Sequence, residues 1–455
     1  MSARRTPALA FWLLALTLFA LPWPWGANRD WIWPWFAAWL GLLAAIVFGG
    51  AALGRWPLSP AFARSRSVVA IALAWLALTA VAAHWPGEGW PLDRTAARKA
   101  ELLTAMYVAI LLLVLATVDT SGRLRRLLAV VFAVGAVQAI YATFMTLSGL
   151  EIGFFARKTI NLGVATGTYV NRNHLAGMLA LAGGCGAGLL VAQLGGEGGE
   201  SWRARARAFV ALLLGPKAIL RALLAALVVG LVLTQSRMGN VAFFAGLGAA
   251  GVAAMVAMRP LPRTLAWFLV SVVVIDLVVL GSWVGVERVA TRLRETTVAT
   301  PTTAGASSDV ERVDVARATL ALWREHPWLG VGPGGFRTAF PTVKPDSVRL
   351  FYDHAHNDWA QLLAERGVVG AATWAALPLA GLVLAIRAMR RRRDPAIRGA
   401  AFGAVAAITA LAVHGLADFN LQIPANAALF HAAIAIGVLS DRLPSGRSAR
   451  PHRSR

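Results

Sequence analysis

Two histidines stand where a polar segment meets a long apolar run, in the stretch DHAHNDWAQLLAERG. His354 and His356 are separated by one residue, and Asn357 and Asp358 follow directly. Histidine exchanges protons readily near neutral pH, so a histidine here could act as a general base. Two other interpretations stay open. Asn357 or Asp358 could simply cap the next helix, or the histidines could bind zinc, although no third ligand lies nearby.

Apolar segments long enough to cross a bilayer recur along the chain, whose 455 residues are 58% hydrophobic. This pattern predicts an all-α integral membrane protein with about twelve transmembrane helices. With a single cysteine, Cys185, the chain can form no internal disulfide. The predicted spans cover residues 7–23, 31–52, 67–84, 101–118, 127–147, 174–194, 218–235, 239–257, 265–285, 367–386, 399–416 and 424–440.

The formal net charge of +22 is distributed very unevenly between the segments that join these spans. If the N-terminus is cytoplasmic, the cytoplasmic segments carry 26 Lys and Arg against 5 Asp and Glu, whereas the external segments carry 18 against 16. This is the positive-inside pattern, and it predicts that both termini are cytoplasmic. The basic charge is therefore interpreted as a topology signal and not as a nucleic-acid-binding surface.

One external segment, residues 286–366, is far longer than the others. It contains SSDVERVDVARATLALWREHP, which is typical of an amphipathic helix. Its glycine-rich WLGVGPGGFR lacks the Gly-Lys-Ser/Thr of a nucleotide loop and is expected to form a turn. The predicted helix has a capping box and an apolar stripe, formed by Ser308 with Glu311 and by Val310, Val313, Leu320 and Trp323 respectively.

Three further polar clusters fall on the same predicted side as the two histidines. They are TGTYVNRNHLAGML, LTQSRMGN and HGLADFNLQIPAN. Singly, each could be a helix cap or a turn. Together, four polar clusters on one face of an apolar bundle favour a shared cavity. Two of them carry Arg172 and Arg237, and arginine is suited to gripping phosphate oxygens with a planar pair of donors.

Over roughly residues 160–440 the chain resembles the superfamily of O-antigen ligases and Wzy polymerases. Ligases of that family carry His, then Asn, Ser or Gln, nine residues, Gly, two residues, and Gly, Thr or Tyr. His356, Asn357, Gly367 and Gly370 satisfy this pattern. The three polar blocks and HPWLGVGPGGF also look like blocks that recur in the superfamily.

The resemblance implies an enzyme of the bacterial inner membrane whose site faces the periplasm. It would transfer a glycan from undecaprenyl diphosphate to an acceptor hydroxyl, such as that of lipid A-core, without metal or cofactor. His356 is then expected to be the general base, with Arg237 and Arg312 gripping the diphosphate. Expected substrate contacts are Arg172, Asn173, His174, Arg317, His354 and Asn357.

The implied domain order is an N-terminal helical region (1–160), core helices (161–285), a large periplasmic loop (286–366), C-terminal helices (367–440) and a basic tail (441–455). A Wzy-type polymerase and a protein O-oligosaccharyltransferase remain alternatives, because they differ from a ligase in the acceptor. A flippase or transporter is the alternative from another class. It would be expected to place polar residues at mid-membrane, where the sequence offers only Asp276.

Overall fold

The structure is a computed structural model that describes residues 7–193, 216–258 and 309–444. Within these ranges the chain is helical and forms no strand, apart from an isolated bridge between Ile152 and Arg157. The helices are α1 Ala8–Ala20, α2 Trp33–Ala52, α3 Pro60–Arg64, α4 Arg66–Ala83, α5 Arg94–Thr117, α6 Ser121–Leu147, α7 Arg172–Val191, α8 Pro216–Leu233, α9 Arg237–Ala257, α10 Asp309–Glu325, α11 Phe336–Ala339, α12 Asp358–Arg391, α13 Pro395–His414 and α14 Pro424–Arg442.

Each predicted span that falls on described residues coincides with one of these helices. Eight helices are long and apolar enough to cross a bilayer, and α1 and α8 are apolar but shorter. The eight are α2, α4, α5, α6, α7, α9, α12 and α13. The protein is therefore a multi-pass, all-helical membrane protein. The ninth predicted span and its Asp276 lie outside the described residues, as do residues 1–6 and the basic tail beyond 444.

Close packing of α7 against α13 organises the centre of the bundle. The apolar stretch of α7 is entirely buried. A Cβ added at Gly184 would come within 2.8 Å of the Ala407 backbone nitrogen, and one at Gly188 would overlap the Gly399 carbonyl. Small residues let two membrane helices approach until their backbones touch. This contact fixes the start of α7 relative to the end of α13, where the polar clusters lie.

The described part of the long loop folds around small apolar clusters of its own. As a result, the buried face of α10 differs from the apolar stripe that the sequence predicts. Val313, placed in the predicted stripe, is 48% exposed, whereas Val315, Thr319 and Leu322 are buried. Val315 packs with Phe336 and its neighbours, and α10 also packs on α12. Helical periodicity could not reveal which side those partners occupy. Ser308 and the side chain of Val310 lie outside the described part.

The helix after the histidines begins at Asp358, earlier than the predicted start at residue 367. Gly367 interrupts it with a φ of 58° and a ψ of −172°. The freed N–H of Val368 donates to the Pro327 carbonyl, and a Cβ on Gly367 would overlap the Trp328 backbone. The motif glycine is thus explained by backbone geometry, because only glycine permits this turn against a neighbouring segment.

Candidate active site

A cavity of about 2350 Å³ opens where α7, α9 and α12 begin and where α13 turns into α14. Pockets for single small molecules usually measure roughly 300–1,000 Å³, so this one has room for parts of two large substrates. All four polar clusters predicted to converge contribute to it. Of the nine predicted site residues, seven line the cavity: His356, Arg237, Arg312, Arg172, Asn173, His174 and His354.

The other two predicted residues have different surroundings. Asn357 is the N-cap of α12, and its side-chain oxygen accepts hydrogen bonds from the N–H groups of Trp359 and Ala360. Its amide also donates to the Leu416 carbonyl at 3.0 Å. Arg317 has a side chain that is 77% exposed and pairs with Asp314 on the same helix. Asn357 therefore has a capping role, and Arg317 is not brought to the cavity.

His356 adopts a left-handed backbone conformation, with a φ of 48°. A residue other than glycine is uncommon there and has to be held by its surroundings. The residues on both sides are tied down, because the N–H of Ala355 donates to the Gln361 side chain and Asn357 caps α12. The strained turn aims the imidazole at the α13–α14 turn, where its Nδ1 lies 3.5 Å from an oxygen of Asp418.

Asp418 is 1% exposed and lies between two histidines. The same oxygen, Oδ1, is 3.5 Å from His356 Nδ1 and 4.0 Å from His174 Nε2. Burial alone would raise the pKa of Asp418, but His356, His174 and His414 outweigh it and hold that pKa below its usual range. Asp418 is therefore a carboxylate at neutral pH and can orient an imidazole and stabilise its protonated form.

Phe419 packs against three histidine rings at once. The His354 ring stacks on it at 4.5 Å, and the rings of His174 and His356 meet it edge-on at 4.6 and 4.7 Å. We call these four residues and Asp418 the histidine cluster. Burial, with help from the neighbouring His356, lowers the pKa of His354 to about 4, so His354 is neutral at neutral pH.

A hydrogen-bonded chain connects the histidine cluster to the glycine-rich turn. The amide nitrogen of Gln361 lies 3.2 Å from His354 Nδ1 and 2.9 Å from Glu365 Oε1. The other Glu365 oxygen accepts the N–H of Gly334 at 2.9 Å. Gly330 has a φ of 65°, and an added Cβ would overlap the Glu365 backbone. The segment forms a turn that braces α12, as the sequence predicts.

Arg172, Arg237 and Arg312 also line the cavity, and we call them the arginine cluster. The charges of Arg312 and Arg237 both act on Arg172, so each of them lies within electrostatic range of it. Arg172 and Arg237 are the first residues of α7 and α9. Helix N-termini attract anions through their unsatisfied N–H groups and their dipole. The two helix N-termini and the arginine side chains therefore both favour a negatively charged ligand.

Sequence reasoning did not assign roles to several residues that line the cavity. Asp418 was recognised only as part of a polar block, because its proximity to His356 depends on packing between α12 and α13. Arg366 ends the predicted external segment and His431 lies within an apolar span, and neither was singled out. In the part of the chain that the structure describes, no group of three or more His, Cys, Asp or Glu residues could hold a metal ion.

Comparison with known proteins identifies one region of the chain. Residues 222–375 match a family model described as O-antigen ligase. The match includes Arg237, Arg312, His356 and Gly367 and ends before Asp418. No curated protein matches the chain. Residues 222–375 are thus similar to O-antigen ligases, which supports the resemblance to the superfamily of O-antigen ligases and Wzy polymerases that the sequence motifs carry.

Proposed function

We propose that the protein is an O-antigen ligase-like glycosyltransferase. It transfers a glycan from undecaprenyl diphosphate to a hydroxyl of lipid A-core at the periplasmic face of the inner membrane. The observation that carries this proposal is the shared cavity, whose lining includes both the arginine cluster and the pair formed by His356 and Asp418. One side suits a diphosphate, and the other suits deprotonation of a hydroxyl.

In the proposed reaction, His356 is the general base. The acceptor oxygen attacks the anomeric carbon, its proton passes to Nε2 of His356, and the bond between that carbon and the diphosphate oxygen breaks. The diphosphate lipid leaves with the bonding electrons. Asp418 is a positioning residue that holds Nδ1 and stabilises the imidazolium. The distance of 3.5 Å is long for a hydrogen bond, and such contacts commonly tighten when substrate binds.

The arginine cluster has the complementary role of stabilising the leaving group. Negative charge builds on the diphosphate as the glycosidic bond breaks, and a preorganised cationic donor can contribute roughly 3–4 kcal/mol to that transition state. The charges of Arg312 and Arg237 act on Arg172, so the cluster concentrates positive charge that would attract an anion. On this account the reaction needs no metal and no cofactor.

The acceptor distinguishes the ligase from its alternatives, and deletion of the gene tests it. Loss of all O-antigen bands, with polymer retained on the carrier lipid, is the result expected of a ligase. Lipopolysaccharide bearing a single repeat unit would instead identify a Wzy-type polymerase. Normal lipopolysaccharide with an under-glycosylated exported protein would identify a protein O-oligosaccharyltransferase. Carrier-linked glycan retained on the cytoplasmic face of the membrane would indicate a flippase or transporter.

The proposed orientation has its own test. Reporter fusions after about residues 195 and 393 should report a cytoplasmic location, and fusions at 300–310 a periplasmic one. A cytoplasmic result at 300–310 would put the site on the wrong side for a donor in the outer leaflet and would refute the proposal.

A further inference from the structure

A further group of side chains lines the same cavity and belongs to neither the arginine cluster nor the histidine cluster. Its members are Trp75 on α4, Tyr107 on α5, Arg366 and Trp374 on α12, and His431 on α14. His431 is seven residues into α14, which at 1.5 Å per residue places it about 10 Å along the helix from its start. Because α4, α5 and α12 are membrane-spanning by length and composition, we call this region the deep lobe.

Arg366 has few partners for a charge among apolar helices. Its guanidinium donates to the Thr79 hydroxyl at 2.7 Å and lies over the Trp75 ring at 5.6 Å. The adjacent carboxylate, Glu365, acts on Arg366 through its charge, but its oxygens accept hydrogen bonds from Gly334, Phe336 and Gln361. Arginine has five N–H donors, so most of those of Arg366 have no hydrogen-bond acceptor within the described residues. Free guanidinium donors at the wall of a cavity favour an anionic ligand with paired oxygens.

Two further polar atoms in the deep lobe also lack a partner. Trp75 is 4% exposed, and its indole N–H has no acceptor within the described residues. His431 is 1% exposed and bonds the Ala427 carbonyl through Nδ1 at 2.7 Å, which leaves Nε2 without a donor there. The ring planes of Trp75 and Tyr107 both lie within 11° of the His431 ring plane. The three rings therefore pack as one stacked group.

We propose that the deep lobe binds the phosphate group of a membrane lipid, separately from the arginine cluster. The Arg366 fork grips two phosphate oxygens, and the Trp75 indole supplies a further donor. The lipid phosphate is favoured over a free anion because apolar side chains, Leu103, Leu362 and Trp374, line the cavity beside Arg366 and suit hydrocarbon. The next step rests on the proposed function: this lipid is the acceptor, and the cavity holds the donor and the acceptor together.

The test measures lipid binding alone, without glycan, so its outcome is independent of transferase activity. Native mass spectrometry would compare phosphatidic acid with diacylglycerol of the same chains, which differ only in the phosphate. Wild-type protein should bind phosphatidic acid at least tenfold more tightly than diacylglycerol. Arg366→Gln should abolish that preference, and Trp75→Phe should weaken it about threefold. The matched control, Arg98→Gln at an exposed position on α5, should keep it.

Two further variants keep the inference falsifiable. Arg237→Ala removes a competing cation from the arginine cluster, and the preference that depends on Arg366 should persist in it. Should Arg366→Gln fail to fold, Arg366→Lys retains the charge without the fork and should bind about tenfold more weakly. Equal binding by wild type and the Arg366 variants would overturn the site. Displacement by millimolar inorganic phosphate would overturn the assignment to a lipid.

Discussion

The two sides of the cavity carry different kinds of polar chemistry. The arginine cluster groups like charges at the starts of α7, α9 and α10, where helix N-termini add to the positive potential. The histidine cluster instead packs three imidazole rings around Phe419 and beside the Asp418 carboxylate. The contrast indicates that the arginine cluster suits binding of an anion and the histidine cluster suits proton transfer. Variants on the two sides should therefore fail in different ways.

The largest expected effect on donor binding and transfer together belongs to the arginine cluster. Arg237→Ala and Arg312→Ala should each lower transfer by about 10²–10³-fold, because one charge-stabilising donor is lost. Donor binding should weaken as well, and Lys should restore only part of the activity because it lacks the planar fork. Initial rates and binding of diphosphate-linked glycan would measure this. Arg317 lies on the same helix as Arg312, but its side chain is exposed. Arg317→Ala is therefore the matched control, and its transfer rate should stay within threefold of wild type.

Asp418→Asn should lower turnover by about 10²-fold or more while leaving donor binding unchanged, because it weakens the base without touching the arginine cluster. The wild-type pKa of Asp418 is below its usual range, so acid inactivation above pH 4 should not arise from its protonation. Asp346→Asn, an exposed carboxylate outside the cavity, serves as control. A parallel loss of donor affinity in Asp418→Asn would erase the distinction between the two sides.

The motif glycine should behave as a structural residue and not as part of either side. Gly367→Ala puts a Cβ into the Trp328 backbone at a positive φ, which should cost at least about 1–3 kcal/mol and lower thermal stability in detergent. Gly248, within α9, has open space around its Cβ position, and its alanine variant should be neutral or gain up to about 1 kcal/mol. Unchanged melting of Gly367→Ala would contradict this explanation.

The smallest expected effect is that of metal removal. Transfer by purified protein should persist within experimental error in excess chelator, since neither side of the cavity is assigned a metal-dependent step. Inactivation that one divalent ion reverses would revive the interpretation of His354 and His356 as zinc ligands.

The sequence predicts the arginine cluster better than it predicts the His356–Asp418 pair or the deep lobe, for physical reasons. Arg172 and Arg237 lie at the first residue of a helix, and helix starts can be found from polar residues that precede apolar runs. His356 lies just before α12 and Asp418 lies in the turn between α13 and α14, so their pairing joins segments distant in sequence and no local pattern reveals it. Arg366 ends the polar first part of α12 and His431 is a single polar residue within α14, and their partners come from α4 and α5.

The helices themselves follow from hydropathy, because every backbone group in a bilayer must be bonded within its own segment. The early start of α12 does not follow from hydropathy, since the polar turn DWAQLLAER is helical but not apolar. It is stabilised by the Asn357 cap and by contacts with α10. The buried face of α10 depends likewise on neighbours that a single helical pattern cannot identify.

The central claim is that His356 takes the acceptor proton, and single-turnover transfer with preloaded donor tests it most directly. His356→Ala and His356→Gln should both leave donor bound as in wild type yet reduce the transfer step by about 10²–10⁴-fold, because glutamine can hydrogen-bond but cannot accept a proton. Transfer at the wild-type rate by His356→Gln would contradict the account and leave the histidines a purely structural role.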